Sequence, residues 1–151
     1  MIDEQTQSLP PAVRILVLCT HNSARSQMAE AIIRSYGNGR FVVDSAGTEA
    51  TRVNPFAVEA MREIGIDISG ARSKHLSEFL EQEFDYVITV CDSAAESCPV
   101  FPGRAERIHW SFPDPSAAEG TDDETLAHFR NVRDAIAEQV HKWVNEARPA
   151  R

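Results

Sequence analysis

Residues 13–33 read VRILVLCTHNSARSQMAEAII, and this stretch decides the fold. Its first six residues form an apolar run, short and β-branched enough for a buried strand. Its last eight, SQMAEAII, place Met28 with Ile32 and Ala29 with Ile33 at helical spacing. Between them a cysteine and an arginine, Cys19 and Arg25, bracket five residues. A thiol at the end of a buried strand, just before a helix N-terminus, is placed to bind an anion and attack it.

The first turn of a helix leaves unpaired N–H groups, and the helix dipole adds partial positive charge there. A tetrahedral oxyanion fits such a cradle. The loop Thr20, His21, Asn22, Ser23 and Ala24, with Arg25 and Ser26, is the candidate oxyanion-binding set. Arg25 offers a planar fork of donors that holds two oxygens at once, which a lysine cannot. The same field favours a thiolate at Cys19, since helix N-termini and nearby cations lower a cysteine pKa to roughly 3.5–7.5. The alternative is a buried structural cysteine beside a surface arginine.

Working outward, the 151 residues suit one domain with a sizeable core. With 42% hydrophobic and 25% charged residues, the composition is that of a soluble globular protein. No apolar run approaches the roughly 18 residues of a membrane span. The opening MIDEQTQSLPPA lacks the basic start and apolar stretch of a signal peptide, so a cytoplasmic, monomeric protein with no membrane partner is expected. Residues 1–12 are expected to be a flexible tail, 13–147 the domain, and 148–151 a C-terminal tail. The net charge of −8 argues against nucleic acid. An oxyanion must then meet a small positive pocket on an acidic body, distant charges being screened over ~8–10 Å. Three cysteines, an odd number, favour catalytic or redox use over a structural disulfide framework. Zinc is disfavoured, because the five histidines show no paired ligand spacing.

Further strands are expected at 40–45, 84–90 and 107–110. Helices are expected from Pro55 to Gly65, around 76–82, over 92–97 and from Thr121 onward. Asp92 is expected to cap the third of these, with Ser93 and Glu96 at capping-box spacing; Thr121 and Glu124 form a second box. Leu126, Phe129, Val132, Ile136, Val140, Trp143 and Ala147 make one apolar stripe, which is core packing. Alternating strands and helices imply an α/β domain: a four-stranded parallel sheet flanked by helices on both faces. Ligands bind such sheets at the carboxyl ends of the strands. Cys19 and Cys91 each follow a strand, and Asp114 lies just beyond the fourth. All three should meet at one rim.

The segments CTHNSARSQMAEA, SAGTEATRVNPFAVEAM, VCDSAAESCPVFPG and HWSFPDPS carry a resemblance. The Cys-x5-Arg-Ser loop resembles the low-molecular-weight tyrosine phosphatase fold, and the segments together look like the thioredoxin-coupled arsenate reductases built on it. That resemblance implies Cys19 as nucleophile, Arg25 as oxyanion holder and Asp114, between Pro113 and Pro115, as the acid for the leaving group. It implies that Cys91 attacks Cys19, expelling arsenite, and that Cys98 then attacks Cys91 by thiol–disulfide exchange. Thioredoxin or a low-molecular-weight thiol system would close the cycle, with no bound cofactor. Seven positions along a helix rise ~10.5 Å, whereas disulfide-bonded Cα atoms sit about 4.4–6.8 Å apart. Residues 92–97 must therefore unwind for Cys91 to pair with Cys98.

Some relatives bind potassium using residues corresponding to Asn22, Glu30 and Ser45. Here Arg72 and Lys74 are basic where those relatives are neutral or acidic, so a built-in cation is expected and no metal. His21 stands where many relatives carry glycine and is expected to shape the pocket mouth. His109 is expected to be strand-end packing. Ser116 replaces the aromatic residue that phosphatases of this fold often carry beside the site. Two alternatives stay open: a phosphotyrosine phosphatase using Cys19, Arg25 and Asp114 alone, and an oxyanion-binding redox sensor.

Overall fold

The computed structural model describes residues 12–37, 39–98, 101–117 and 119–147. Both expected tails, save Ala12, lie outside the described residues. Strand β1 (Val13–Cys19) is followed by α1 (Arg25–Gly37), β2 (Phe41–Gly47) and α2 (Pro55–Arg62). Then come a 3₁₀ turn (Leu76–Phe79), β3 (Tyr86–Thr89), α3 (Asp92–Ser97), β4 (Glu106–His109), a second 3₁₀ turn (Pro115–Ala117) and α4 (Asp122–Ala147). The sheet order is β2-β1-β3-β4, with every pairing parallel. This is the expected α/β architecture.

β1 sits centrally. Ile15, Leu16, Val17 and Leu18 alternate between the two faces of the sheet, yet all four are fully buried. Both faces are therefore covered, which explains why the strand reads as a continuous apolar run rather than an alternating one. The α4 stripe supplies much of the cover: Phe129, Ile136 and Val140 are fully buried, and α4 packs along α1, whose Met28, Ala29 and Ile33 are also fully buried. Burying each such large side chain stabilises the fold by about 1.5–3 kcal/mol. Trp143 ends the stripe in an aromatic cluster, edge-on to Tyr86 (5.1 Å between ring centroids) and to Trp110 (5.7 Å).

Register places the rim. Leu18 pairs with Thr89, and Thr89 pairs with His109, so the ends of β1, β3 and β4 form one row. Cys19, Cys91 and the loop leading to Asp114 all leave the sheet from that row.

Several boundaries differ from expectation for local reasons. α2 stops at Arg62 because the chain closes in a Schellman turn. Gly65 N–H bonds Arg62 C=O, Ile66 N–H bonds Met61 C=O, and Gly65 takes φ +83°. The helix expected around 76–82 is one 3₁₀ turn, capped by His75, whose Nδ1 accepts from the Ser77 amide. Asp92 is not the cap of α3. Cys91 holds that position without a side-chain cap bond, and Asp92 is the first helical residue. The Thr121–Glu124 box forms in both directions: Glu124 Oε1 accepts from Thr121 N–H, and Thr121 Oγ1 from Glu124 N–H.

Candidate active site

Cys19 ends β1 and is almost fully buried. The loop after it is held by its carbonyls. Those of Cys19, Thr20, His21 and Ser23 accept from the amides of Thr48, Glu49, Thr51 and Asn54. A planar trans peptide points its N–H opposite to its C=O. Each bonded carbonyl therefore turns the next loop amide away from the 48–54 segment, as an anion cradle requires. The close approach depends on Gly47, where a Cβ would fall 2.5 Å from the Thr20 oxygen and 2.8 Å from the Asn22 nitrogen.

Asn22 pins the loop from beneath. It takes the left-handed conformation (φ +51°) and is fully buried. Its Nδ2 donates to Ser26 Oγ (2.8 Å) and Ser45 Oγ (2.9 Å), while Oδ1 accepts from the Lys74 amide (2.7 Å) and Gln27 Nε2 (2.9 Å). Gln27 Nε2 also donates to the Arg72 carbonyl. Gln27 joins the site without a sequence signal, because its partners meet it only in the folded chain.

The network continues to Glu30, which accepts from Ser45 Oγ (2.5 Å), pairs with Arg34 and faces Lys74 Nζ at 3.9 Å. Lys74 Nζ donates to the Arg72 carbonyl. The acidic group that a potassium ion would need is thus already matched by two side-chain cations. The residues present do not fit a resident cation. Among the described residues, no group of three or more His, Cys, Asp or Glu is arranged to hold a metal.

Above the loop opens a cavity of about 160 Å³, lined by Cys19, His21, Ser23, Ala24, Arg25 and Thr51, with Asp114 and Ser116 opposite. Arg25 Nη1 donates to the Phe112 carbonyl (3.1 Å), and Nη2 stands 3.8 Å from Asp114 Oδ2. Ser116 donates to Asp114 Oδ1 from both its amide and its hydroxyl. The acid's other oxygen is left facing Arg25. His21 sits half-exposed at the mouth, its Nε2 3.5 Å from Glu49. Thr51 lines the site without a sequence signal, because only the bonding of residues 48–54 to the loop brings it there. Of the expected set, Asn22 and Ser26 turn their side chains inward, and Thr20 turns toward Cys91 instead of the cavity.

Cys91 meets Cys19 behind this cavity. Thr20 Oγ1 lies 3.3 Å from the Cys91 sulfur. The neighbouring Cys19 thiol pulls Cys91 down to about 5, against burial, helped by the Thr20 hydroxyl, the Ala94 amide and the charge of Arg25. Cys91 and burial in turn push Cys19 up, opposed by Arg25 and the Thr20 amide, against the thiolate-favouring field expected at this position. Cys98 follows α3, half-buried, and burial raises its thiol despite the nearby Arg107 charge. His109 is not mere packing: it bonds Thr89 at 2.8 Å and Asp92 at 2.9 Å.

Residues 14–150 match the model of the low molecular weight phosphotyrosine protein phosphatase family. The chain belongs to that family. It is 52% identical over 126 residues to the arsenate reductase of Halalkalibacterium halodurans, covering 83% of this chain and 91% of that one. A solved arsenate reductase in a phosphate-binding state superposes with a TM-score of 0.71 at 33% identity, covering 89% of this chain and 98% of the other. A thioredoxin-dependent arsenate reductase of Corynebacterium glutamicum superposes at 0.62 with 27% identity, covering 91% and 66%. This family member thus has close relatives named as reductases. No helix among its described residues is long and apolar enough to cross a membrane.

Proposed function

We propose that this enzyme reduces arsenate to arsenite through a three-cysteine relay. The observation that carries the reading is Cys91, close enough to Cys19 for the two thiols to shift each other, behind an arginine-bearing oxyanion cradle. Phosphate-ester hydrolysis needs the nucleophile, the arginine and the acid; it does not require a second thiol beside the first.

Arsenate binds the loop amides and Arg25. The Cys19 sulfur attacks arsenic as its proton passes to Cys91. Asp114 protonates the departing oxygen, which leaves as water. Cys91 then releases its proton to solvent, its thiolate favoured by Thr20, the Ala94 amide and Arg25. It attacks the Cys19 sulfur, and the sulfur–arsenic electron pair leaves with arsenite, reducing As(V) to As(III). A Cys19–Cys91 disulfide remains. Cys98 next releases its proton to solvent as residues 92–97 open and attacks the Cys91 sulfur, forming Cys91–Cys98 and expelling Cys19 as thiolate. Thioredoxin supplies the two electrons that reduce the final disulfide. The reductase names of close relatives and the thioredoxin dependence of one structural neighbour support this reading.

A steady-state assay with arsenate, comparing thioredoxin with small thiols, tests it. Arsenite formation should need thioredoxin and be abolished by Cys91→Ser and by Cys98→Ser. Turnover surviving in either variant sinks the relay. Phosphate-ester hydrolysis exceeding arsenate reduction would favour the phosphatase.

A further inference from the structure

We propose that Asp92 is a latch holding α3 to the loop that carries Asp114, so that unwinding α3 frees that loop in the same movement. This rests on the relay above.

Asp92 is the first residue of α3 and its side chain is 77% exposed, so burial does not explain its orientation. A carboxylate there ordinarily favours the N-terminal amides of its own helix. Instead it reaches two donors outside the helix: His109 Nε2 at 2.9 Å and Ser111 Oγ at 3.3 Å. A carboxylate only accepts, so His109 donates from Nε2, and its Nδ1 is hydrogen-bonded to the Thr89 hydroxyl at 2.8 Å. The imidazole is thereby fixed on the row formed by Thr89 and His109 at the ends of β3 and β4.

What lies on each side of the latch gives it meaning. One residue before Asp92 is Cys91, the relay sulfur. One residue after Ser111 is Phe112, whose carbonyl holds Arg25, and two further on is Asp114. Cys98 lines a second cavity of about 170 Å³ together with Thr89, Arg107 and His109, so the third thiol waits beside the same imidazole. Cys98 reaches Cys91 only if residues 92–97 leave the helical path, and the first of them is the latch. When Cys98 attacks, one disulfide is exchanged for another with no net electron change. The Asp92 bonds break, and Ser111 and His109 lose their partner. The acid loop then loses its tie to α3 after arsenite has formed and before the next arsenate binds. Asp92 and His109 act through other groups and are positioning residues.

Amide hydrogen exchange of the full chain tests the latch, comparing the reduced protein with protein oxidised by stoichiometric arsenate without reductant. In the native protein, oxidation should raise exchange in 92–97 and 110–117 together. In reduced Asp92→Ala, exchange in 110–117 should already be about two- to fivefold faster, the scale of one exposed polar contact. His109→Ala should match it, and the double variant should add nothing further. Asp92→Ala should also speed Cys91–Cys98 formation in a single turnover, with the arsenate KM unchanged. Native-like exchange of 110–117 in both reduced single variants overturns the proposal, as does oxidation that opens 92–97 alone. If 92–97 stays equally protected on oxidation, the relay fails and the coupled opening falls with it; the reduced variants then report only whether the tie itself exists.

Discussion

The Thr20 hydroxyl lies 3.3 Å from the Cys91 sulfur, joining positions 71 residues apart. Thr20 therefore serves the second thiol of the site rather than the substrate cavity. Replacing it with valine keeps the shape and removes the bond, a loss of about 1 kcal/mol. Thr20→Val should lower arsenate kcat roughly fivefold with KM unchanged. Steady-state kinetics check this, and a change confined to KM would show that Thr20 acts on arsenate binding.

The Cys91 thiol, held down to about 5, sets a pH dependence: above that value it is a thiolate, below it a thiol. Ultraviolet thiolate absorbance should therefore fall as pH drops through about 5, and single-turnover reduction should fall with it. In Cys91→Ser that transition should vanish. In Cys98→Ser it should persist, because burial keeps the Cys98 thiol protonated at neutral pH.

Lys74 faces Glu30 beneath the loop, with both side chains 12% exposed. Removing the ammonium leaves a buried carboxylate short of a partner, a cost of about 1–3 kcal/mol. Lys74→Met should lower the melting temperature, and added potassium should restore part of the loss. Exchanging potassium for a large organic cation should leave native activity unchanged. Thermal melts and rates in matched chloride salts measure both effects.

Glu63 joins the end of α2 to α4. It bonds Arg130 through both oxygens and Arg133 at 2.9 Å, and the Arg130 and Arg133 bonds hold its carboxyl at about 2. A group depressed from an unfolded value of about 4.3 stabilises the fold above that value and stops doing so as pH falls toward 2. Glu63→Gln should lower the melting temperature at neutral pH. The difference from native should shrink as pH drops below about 4 and close near pH 2. A gap that persists unchanged in acid would show that the glutamate acts by packing.

The parts of the site legible in the sequence were those set by local order. Cys19 and Arg25 stand at a fixed spacing across one strand–helix junction. Cys91 follows its own strand, and Asp114 is framed by prolines. The parts that were not legible depend on register. In the sequence His109 reads as packing, because nothing near it in the chain reveals Thr89 and Asp92, 20 and 17 residues away. Asp92 reads as a cap because its type and position suit one, but the backbone at Cys91 takes that place. Thr20 reads as part of the oxyanion loop because its neighbours belong there; only the pairing of β1 with β3 brings Cys91 within its reach. Gln27 carries no signal, because its partners, Asn22 and Arg72, meet it only once the loop is folded.

The aromatic cluster under the rim has a practical consequence. The chain has two tryptophans, and Trp143 of α4 meets Trp110 edge-on, with centroids 5.7 Å apart. Trp110 immediately precedes Ser111 and opens the segment that leads to Asp114. One of the two indoles is thus anchored in the long helix, while the other stands at the root of the catalytic arm. Any excursion of that arm alters the overlap of the pair, so intrinsic emission and near-ultraviolet dichroism report it directly. The enzyme carries its own optical gauge, and each turnover can be followed in the unlabelled protein.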